Sequence, residues 1–154
     1  MSVDRNISIR LLTNLDSFSD IVNVLIYEGF SFGENGTIVS LLEDDIDGFN
    51  YTKFNSFDIV KDILNRREAK GYCNYIIIWD KNIDDSLLVS SRKLDTQYNG
   101  YKNHYEINLG IGYGVRIKGA DRYTDFGIYL NKLIPILVKN SMFVCEVNCS
   151  DFDC

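Results

Sequence analysis

The sequence predicts one α+β domain spanning residues 1–154, with a mixed, mostly antiparallel sheet and about three helices. The length of 154 residues suits a single ordinary domain. Hydrophobic residues make up 45% of the chain and charged residues 25%, which is the composition of a globular protein. Strand-like and helical segments follow the order β-α-β-α-β-β-β-α-β, and this mixture of hairpins and crossovers favours an α+β fold.

The first half of the chain alternates strands with helices. A short β-branched segment at Ile7–Leu12 predicts the first strand, and Asn14–Gly29 carries apolar residues three and four apart, as on one face of a helix. Thr37–Leu42 predicts a second strand. The polar, acidic segment Glu43–Phe54 predicts a loop, and Ser56–Gly71 again shows helical spacing and ends on a glycine.

The second half predicts three strands, a helix and a last strand. Tyr72–Trp79 is almost continuously apolar, as expected of a central strand covered on both faces, and we expect it to form a hairpin or a neighbouring antiparallel pair with Ser86–Ser91. Leu94–Asn103 predicts a loop. His104–Ile111 alternates like a half-buried strand, which Tyr113–Ile117 either extends or folds back upon. A third helix begins near Thr124 or Asp125, contains Pro135 and stops by Asn140, and Met142–Cys149 predicts the final strand.

Composition and hydropathy limit where the protein works and what it binds. The net charge of −6 argues against nucleic-acid binding, which needs a basic face for phosphates. The first residues lack the apolar core of a signal peptide, and Tyr75–Trp79 is far shorter than the roughly 20 residues of a membrane helix. These features predict a cytoplasmic protein that binds neither nucleic acid nor membrane.

Metal sites and cofactors are not indicated by the candidate motifs. Glu43, Asp45, Asp47 and Gly48 match the first positions of a calcium loop, but Phe54 stands where a bidentate glutamate is required. The four cysteines lack zinc-site spacing and are predicted to be buried, apolar thiols. Two interpretations of the acidic segment remain: a solvated loop, or an acidic docking surface beside aromatic side chains.

Catalytic motifs are equally sparse. His104 is the only histidine, and the glycines of Gly110–Gly114 do not have the spacing of a dinucleotide or phosphate loop. Asp121, Arg122 and Asp125 gather charged groups at the start of the third predicted helix, so a small-molecule enzyme is one alternative function. A ferredoxin-like regulatory or oligomerisation domain is the other, suggested by the order of the first elements.

The segments Ile107–Arg116 and Asp121–Leu130 resemble small bacterial immunity proteins, including those of contact-dependent growth inhibition systems. The resemblance covers about a third of the chain and lies in size, acidity, the α+β pattern and loops rich in tyrosine and aspartate. It implies a noncatalytic cytoplasmic protein that neutralises the C-terminal domain of a cognate toxin, often a nuclease with a basic cleft.

The placement of charge independently favours an inhibitor of this kind, because carboxylates can mimic phosphates and steer a basic partner. Between Glu28 and Asp62 the chain carries eight acids and two bases, an excess of six that equals the whole imbalance. We therefore predict a partner-binding surface on the acidic segment, with a second acidic patch joining it if the fold brings the two together. The predicted interface residues are Glu43, Asp44, Asp45, Asp47 and Tyr51, with Asp84 and Asp85 as the second patch.

Overall fold

The computed structural model describes residues 3–33 and 36–153 and shows an α+β fold. Its elements are β1 (Val3–Thr13), α1 (Phe18–Tyr27), β2 (Ile38–Leu41), β3 (Tyr51–Phe54), α2 (Phe57–Ala69), β4 (Asn74–Asp80), β5 (Asp85–Leu94), β6 (Asn103–Ile111), β7 (Arg116–Ile117), β8 (Ala120–Thr124), α3 (Phe126–Lys139) and β9 (Phe143–Asp153). None of the helices in this part of the chain has the length and hydrophobicity of a membrane-spanning segment.

Seven strands form one sheet in the order β3-β2-β4-β5-β6-β1-β9, and each pairing between its described strands is antiparallel. The first strand lies inside the sheet, where Ile9 is opposite Ile107 of β6 and Val147 of β9. The predicted α+β class and mostly antiparallel sheet are confirmed. The predicted strand Tyr72–Trp79 is third in the order, one place from the centre.

The helices share a single core with one face of the sheet. Buried Phe18 of α1, Leu64 of α2 and Leu133 of α3 belong to the same apolar cluster as inward residues of the strands. Along β4, buried Ile76 and Ile78 alternate with partly exposed Tyr75, Ile77 and Trp79. The expectation that this strand is covered on both faces was therefore wrong, because the helices cover only one.

Three short strands and the state of the thiols differ from the sequence-based expectation. The predicted acidic loop contains β3, which returns along β2 so that Tyr51 lies opposite Leu41. After β6 the chain forms a small hairpin from β7 and β8. Cys73, Cys145 and Cys149 are free thiols but exposed rather than buried, and Cys154 lies outside the described residues. The sequence also predicts a turn at Gly33–Gly36, part of which lies outside the described residues.

Strand directions gather several loops at one end of the sheet, which we call the lower end. It holds the end of β2, the start of β4, the end of β5, the start of β6 and the end of β1, because Asn74 pairs with Ser91, Leu94 with His104 and Leu12 with His104. The last turn of α2 reaches the same end. The turn between β4 and β5 lies at the opposite, upper end.

Candidate functional site

The predicted acidic surface lies in the segment from Leu42 to Tyr51, here called the 42–51 loop, at the lower end of the sheet. It leaves β2, bends outward and returns as β3. A loop that protrudes from a rigid scaffold is a common place for binding residues. The contacts that fix this loop decide what it can present to a partner.

Arg67 holds the loop from inside. Its guanidinium, in the last turn of α2, is 1% exposed. Nη1 donates hydrogen bonds to the carbonyl oxygens of Leu42 at 2.7 Å, Glu43 at 3.3 Å and Asp45 at 2.8 Å, and Nη2 donates to Cys73 O at 2.7 Å. The guanidinium also lies 5.7 Å from the ring centroid of Tyr72. A buried cation with four backbone acceptors costs much to displace, so the loop is fixed to the helix.

Asp45 closes the loop on itself. Its carboxylate accepts hydrogen bonds from the backbone amides of Gly48, at 3.1 Å, and Asn50, at 2.9 Å. Gly48 has a φ of +73°, and a Cβ there would lie 3.2 Å from the Tyr75 ring. The predicted interface residue Asp45 therefore has a structural role, because both oxygens of its carboxylate bind the loop's own backbone.

The acidic charge of the loop is largely neutralised by α2. Glu43 forms ion pairs with Arg66 at 2.9 Å and Lys70 at 3.1 Å, and Lys70 also lies 3.3 Å from Asp44. The hydrogen bond from Lys70, with help from Arg66, holds the pKa of Glu43 below its usual value. Glu43 and Asp44 thus form ion pairs with Arg66 and Lys70 at the end of α2, whereas Arg67 binds only backbone oxygens of the loop. The excess of six acidic residues was counted from Glu28 to Asp62, and these bases follow just after that range.

The loop also exposes several large apolar side chains. Phe49 is 81% exposed, Ile46 68%, Leu42 49% and Tyr51 47%. Tyr51 is supported by an edge contact with Tyr75, with ring centroids 6.5 Å apart, and partial burial raises the pKa of its phenol. Asp44 and Asp47 are exposed beside these side chains. The surface consists of apolar anchors with an acidic rim, which is the usual anatomy of a protein interface.

The second predicted acidic patch does not join the first. Asp84 and Asp85 lie at the upper end of the sheet, after β4, whereas the 42–51 loop lies at the other end of that strand. Seven residues of strand separate the two ends by roughly 20 Å. Asp84 is exposed in the turn, with a φ of +51°.

Asp85 is not available to a partner, and its assignment to the interface was wrong. It is 1% exposed. Its Oδ1 accepts from the amides of Ser86 at 2.9 Å and Tyr113 at 2.8 Å, and its Oδ2 accepts from the Gly114 amide at 3.0 Å and the Tyr129 hydroxyl at 2.6 Å. The carboxylate is an internal anchor that fixes the segment after β6 against α3.

The charged cluster behind the enzyme alternative does not converge. Asp121 and Arg122 are exposed neighbours in β8, so their side chains leave opposite faces of that strand. Asp125 occupies the position before α3. This arrangement gives no enclosed set of carboxylate and guanidinium around a substrate.

The sequence-based prediction omitted Arg67 and Ile46, and it included Phe49 only among the aromatic side chains beside the acidic surface. Arg67 is one of several bases at the end of a predicted helix, where a base is usually explained by its interaction with the helix dipole. The available signal for Ile46 was its place as a single apolar residue between Asp45 and Asp47. Comparisons of the chain with protein-family models, curated proteins and solved structures found no match.

Proposed function

We propose that the chain is a noncatalytic binding protein that docks on a partner protein through the 42–51 loop. The observation that carries the proposal is the exposure of Phe49 and Ile46, at 81% and 68%, on a loop fixed by Arg67 and Asp45. Large apolar side chains that are exposed within one short loop are typical of surfaces that bind a partner. A rigid loop also loses little conformational entropy when it binds.

The partner in this proposal is the domain of a cognate bacterial toxin, met in the cytoplasm, as the resemblance to immunity proteins implies. The apolar anchors would supply most of the affinity, since buried aromatic and aliphatic groups dominate interface energetics. Asp44 and Asp47 would form the rim that faces basic groups of the toxin. Because Arg66 and Lys70 neutralise much of the loop, electrostatic steering is expected to be moderate.

The decisive experiment compares two double variants. Calorimetry measures the affinity of each for the toxin domain encoded beside this chain's gene. Ile46→Ser with Phe49→Ser should weaken binding by about a hundredfold, since a single hot-spot truncation costs about 2 kcal/mol or more. Asp44→Asn with Asp47→Asn should weaken it by less than about tenfold and reduce its dependence on salt.

The matched control removes equally exposed apolar groups elsewhere. Tyr27 is 87% exposed at the end of α1 and Val138 is 60% exposed on α3. Tyr27→Ser with Val138→Ser should leave the affinity unchanged. Full binding by the Ile46/Phe49 double variant would refute the docking surface, and a gene neighbourhood without a toxin would refute the identity of the partner.

A further inference from the structure

A cavity of about 390 Å³ opens at the lower end of the sheet, on the other side of the last turn of α2 from the 42–51 loop. Its wall includes Glu68 and Gly71 from the end of α2 and the segment that links β5 to β6. The size is within the range of pockets that hold small molecules or a side chain. A partner seated on the loop would lie beside its mouth.

The cavity wall contains a carboxylate without a cation. Glu68 Oε1 accepts hydrogen bonds from the Tyr105 hydroxyl at 2.5 Å and from the Phe18 amide at 3.3 Å. No lysine or arginine of the described ranges lies within ion-pair distance of Glu68. No residue of the described ranges donates a hydrogen bond to Glu68 Oε2, so this oxygen can accept one while the other oxygen holds the carboxylate in place.

Two tyrosine rings stand in the wall, and each is supported from behind. Tyr98 lies edge-on to His104, with centroids 5.3 Å apart, and Tyr101 lies 6.4 Å from Phe143. His104 is 4% exposed, and neither ring nitrogen has a hydrogen-bond partner within the described chain. Such rings offer flat π faces to a cation.

The loop that carries the tyrosines is tied to the end of β1. Asn14 donates to Gly100 O at 3.1 Å and accepts from the Lys102 amide at 3.0 Å. Lys102 is neutralised by Asp16 at 3.0 Å. Of the remaining charges in the wall, Glu68 and Asp95 outweigh Lys93 by one. The cavity combines a surplus carboxylate with aromatic walls.

We propose that this cavity receives an arginine side chain of the partner that docks on the 42–51 loop, an inference that rests on the proposed function. A guanidinium can donate in its plane to the Glu68 carboxylate while its flat face stacks on tyrosine, which an ammonium group does less well. The acidic rim of the loop and this cavity would then contact the same basic surface of the partner.

The test uses the full chain and a probe that does not involve the partner. Nα-acetyl-L-arginine methylamide is titrated into the protein while amide chemical shifts of Gly71, Thr96 and Asn103, which line the cavity, are followed by NMR. We expect saturable shifts in the millimolar range. The matched citrulline compound, which has the same shape without the charge, should produce none.

Two variants assign the site. Glu68→Gln keeps an oxygen that can accept from Tyr105 and Phe18 but removes the charge, so the dissociation constant should rise at least tenfold. Tyr98→Leu removes one π face and should raise it several-fold. Glu106→Gln is the matched control, because that carboxylate pairs with Arg92 at 3.1 Å and does not line the cavity.

Equal shifts with the citrulline compound, or an unchanged dissociation constant in Glu68→Gln, would overturn the proposal. Tighter binding of free L-arginine than of the capped compound would assign the cavity to a free amino acid and overturn it as well. The Ile46→Ser/Phe49→Ser variant should bind the capped compound normally. The experiments therefore distinguish a failure of the proposed docking by the 42–51 loop from a failure of the proposed arginine binding in the cavity.

Discussion

Replacing Arg67 with methionine tests whether the 42–51 loop is held from inside. The substitution keeps much of the buried volume and removes four hydrogen bonds, three of which are 2.7 or 2.8 Å long. A hydrogen bond from a charged donor contributes about 1.5–3 kcal/mol. The cost of burying the guanidinium, several kcal/mol, offsets part of that sum. We expect a net loss of about 3–4 kcal/mol, a large share of the ~5–15 kcal/mol that stabilises a domain.

Urea unfolding measures the total loss of unfolding free energy in Arg67→Met. Amide hydrogen exchange shows which part of the chain loses stability. Three of the four acceptors lie in the loop, at Leu42, Glu43 and Asp45. Exchange at the Gly48 and Asn50 amides should accelerate before the sheet opens, because local release costs less than global unfolding.

The neighbouring arginine is the matched control. Arg66 is more than half exposed and makes one ion pair through Nε, with Glu43 at 2.9 Å. Arg66→Met should cost less than about 1 kcal/mol. Two results would refute the claim that Arg67 holds the 42–51 loop: an Arg67→Met variant as stable as Arg66→Met, or unchanged hydrogen exchange in the loop.

Three further predictions concern carboxylates of the interface that was predicted from the sequence. Asp85→Asn removes the oxygen that accepts from Tyr129 and Gly114 and should lower the free energy of unfolding by about 2–4 kcal/mol, whereas Asp84→Asn should change it by less than about 0.5 kcal/mol. Asp45→Asn should lower the free energy of unfolding by about 1–2 kcal/mol, because it removes one hydrogen bond to a loop amide. Asp47→Asn should leave this free energy unchanged in the same urea titration. The ion pairs of Glu43 should be present above its lowered pKa and be lost as the pH falls through it, and Lys70→Met should raise that pKa in a carboxyl ¹³C titration. A pKa of Glu43 insensitive to this change would contradict the ion-pair geometry.

Periodicity predicted the elements that bury a regular face, and failed where tertiary contacts decide. Phe18, Ile21 and Leu25 recur at helical spacing because they contact one core, so α1 could be recognised from sequence. Strand β3 shows no such signal. Its four residues alternate between exposed and half-buried positions, and they form a strand because the Asp45 turn brings Tyr51 opposite Leu41.

The sequence predicted the position of the 42–51 loop but not the charge that it presents. Its cluster of carboxylates indicated a polar segment after the second strand. Its effective charge depends on Arg66 and Lys70, which lie more than 20 residues away along the chain and return to it only in the folded state. Likewise Asp84 and Asp85 are adjacent in sequence, yet one is exposed and the other buried, because successive residues at the start of a strand face different surroundings.

The inner position of β1 has a consequence for the order of folding. Its two neighbours are β6 and β9, so the first strand of the chain completes its pairing only when Val144 and Val147 arrive opposite Leu11 and Ile9. More than 100 residues of chain must be closed into a loop for that contact, which places the fold among slow, high-contact-order topologies. During synthesis, the edge of β1 that pairs with β9 therefore stays unpaired until nearly all of residues 3–153 have been made.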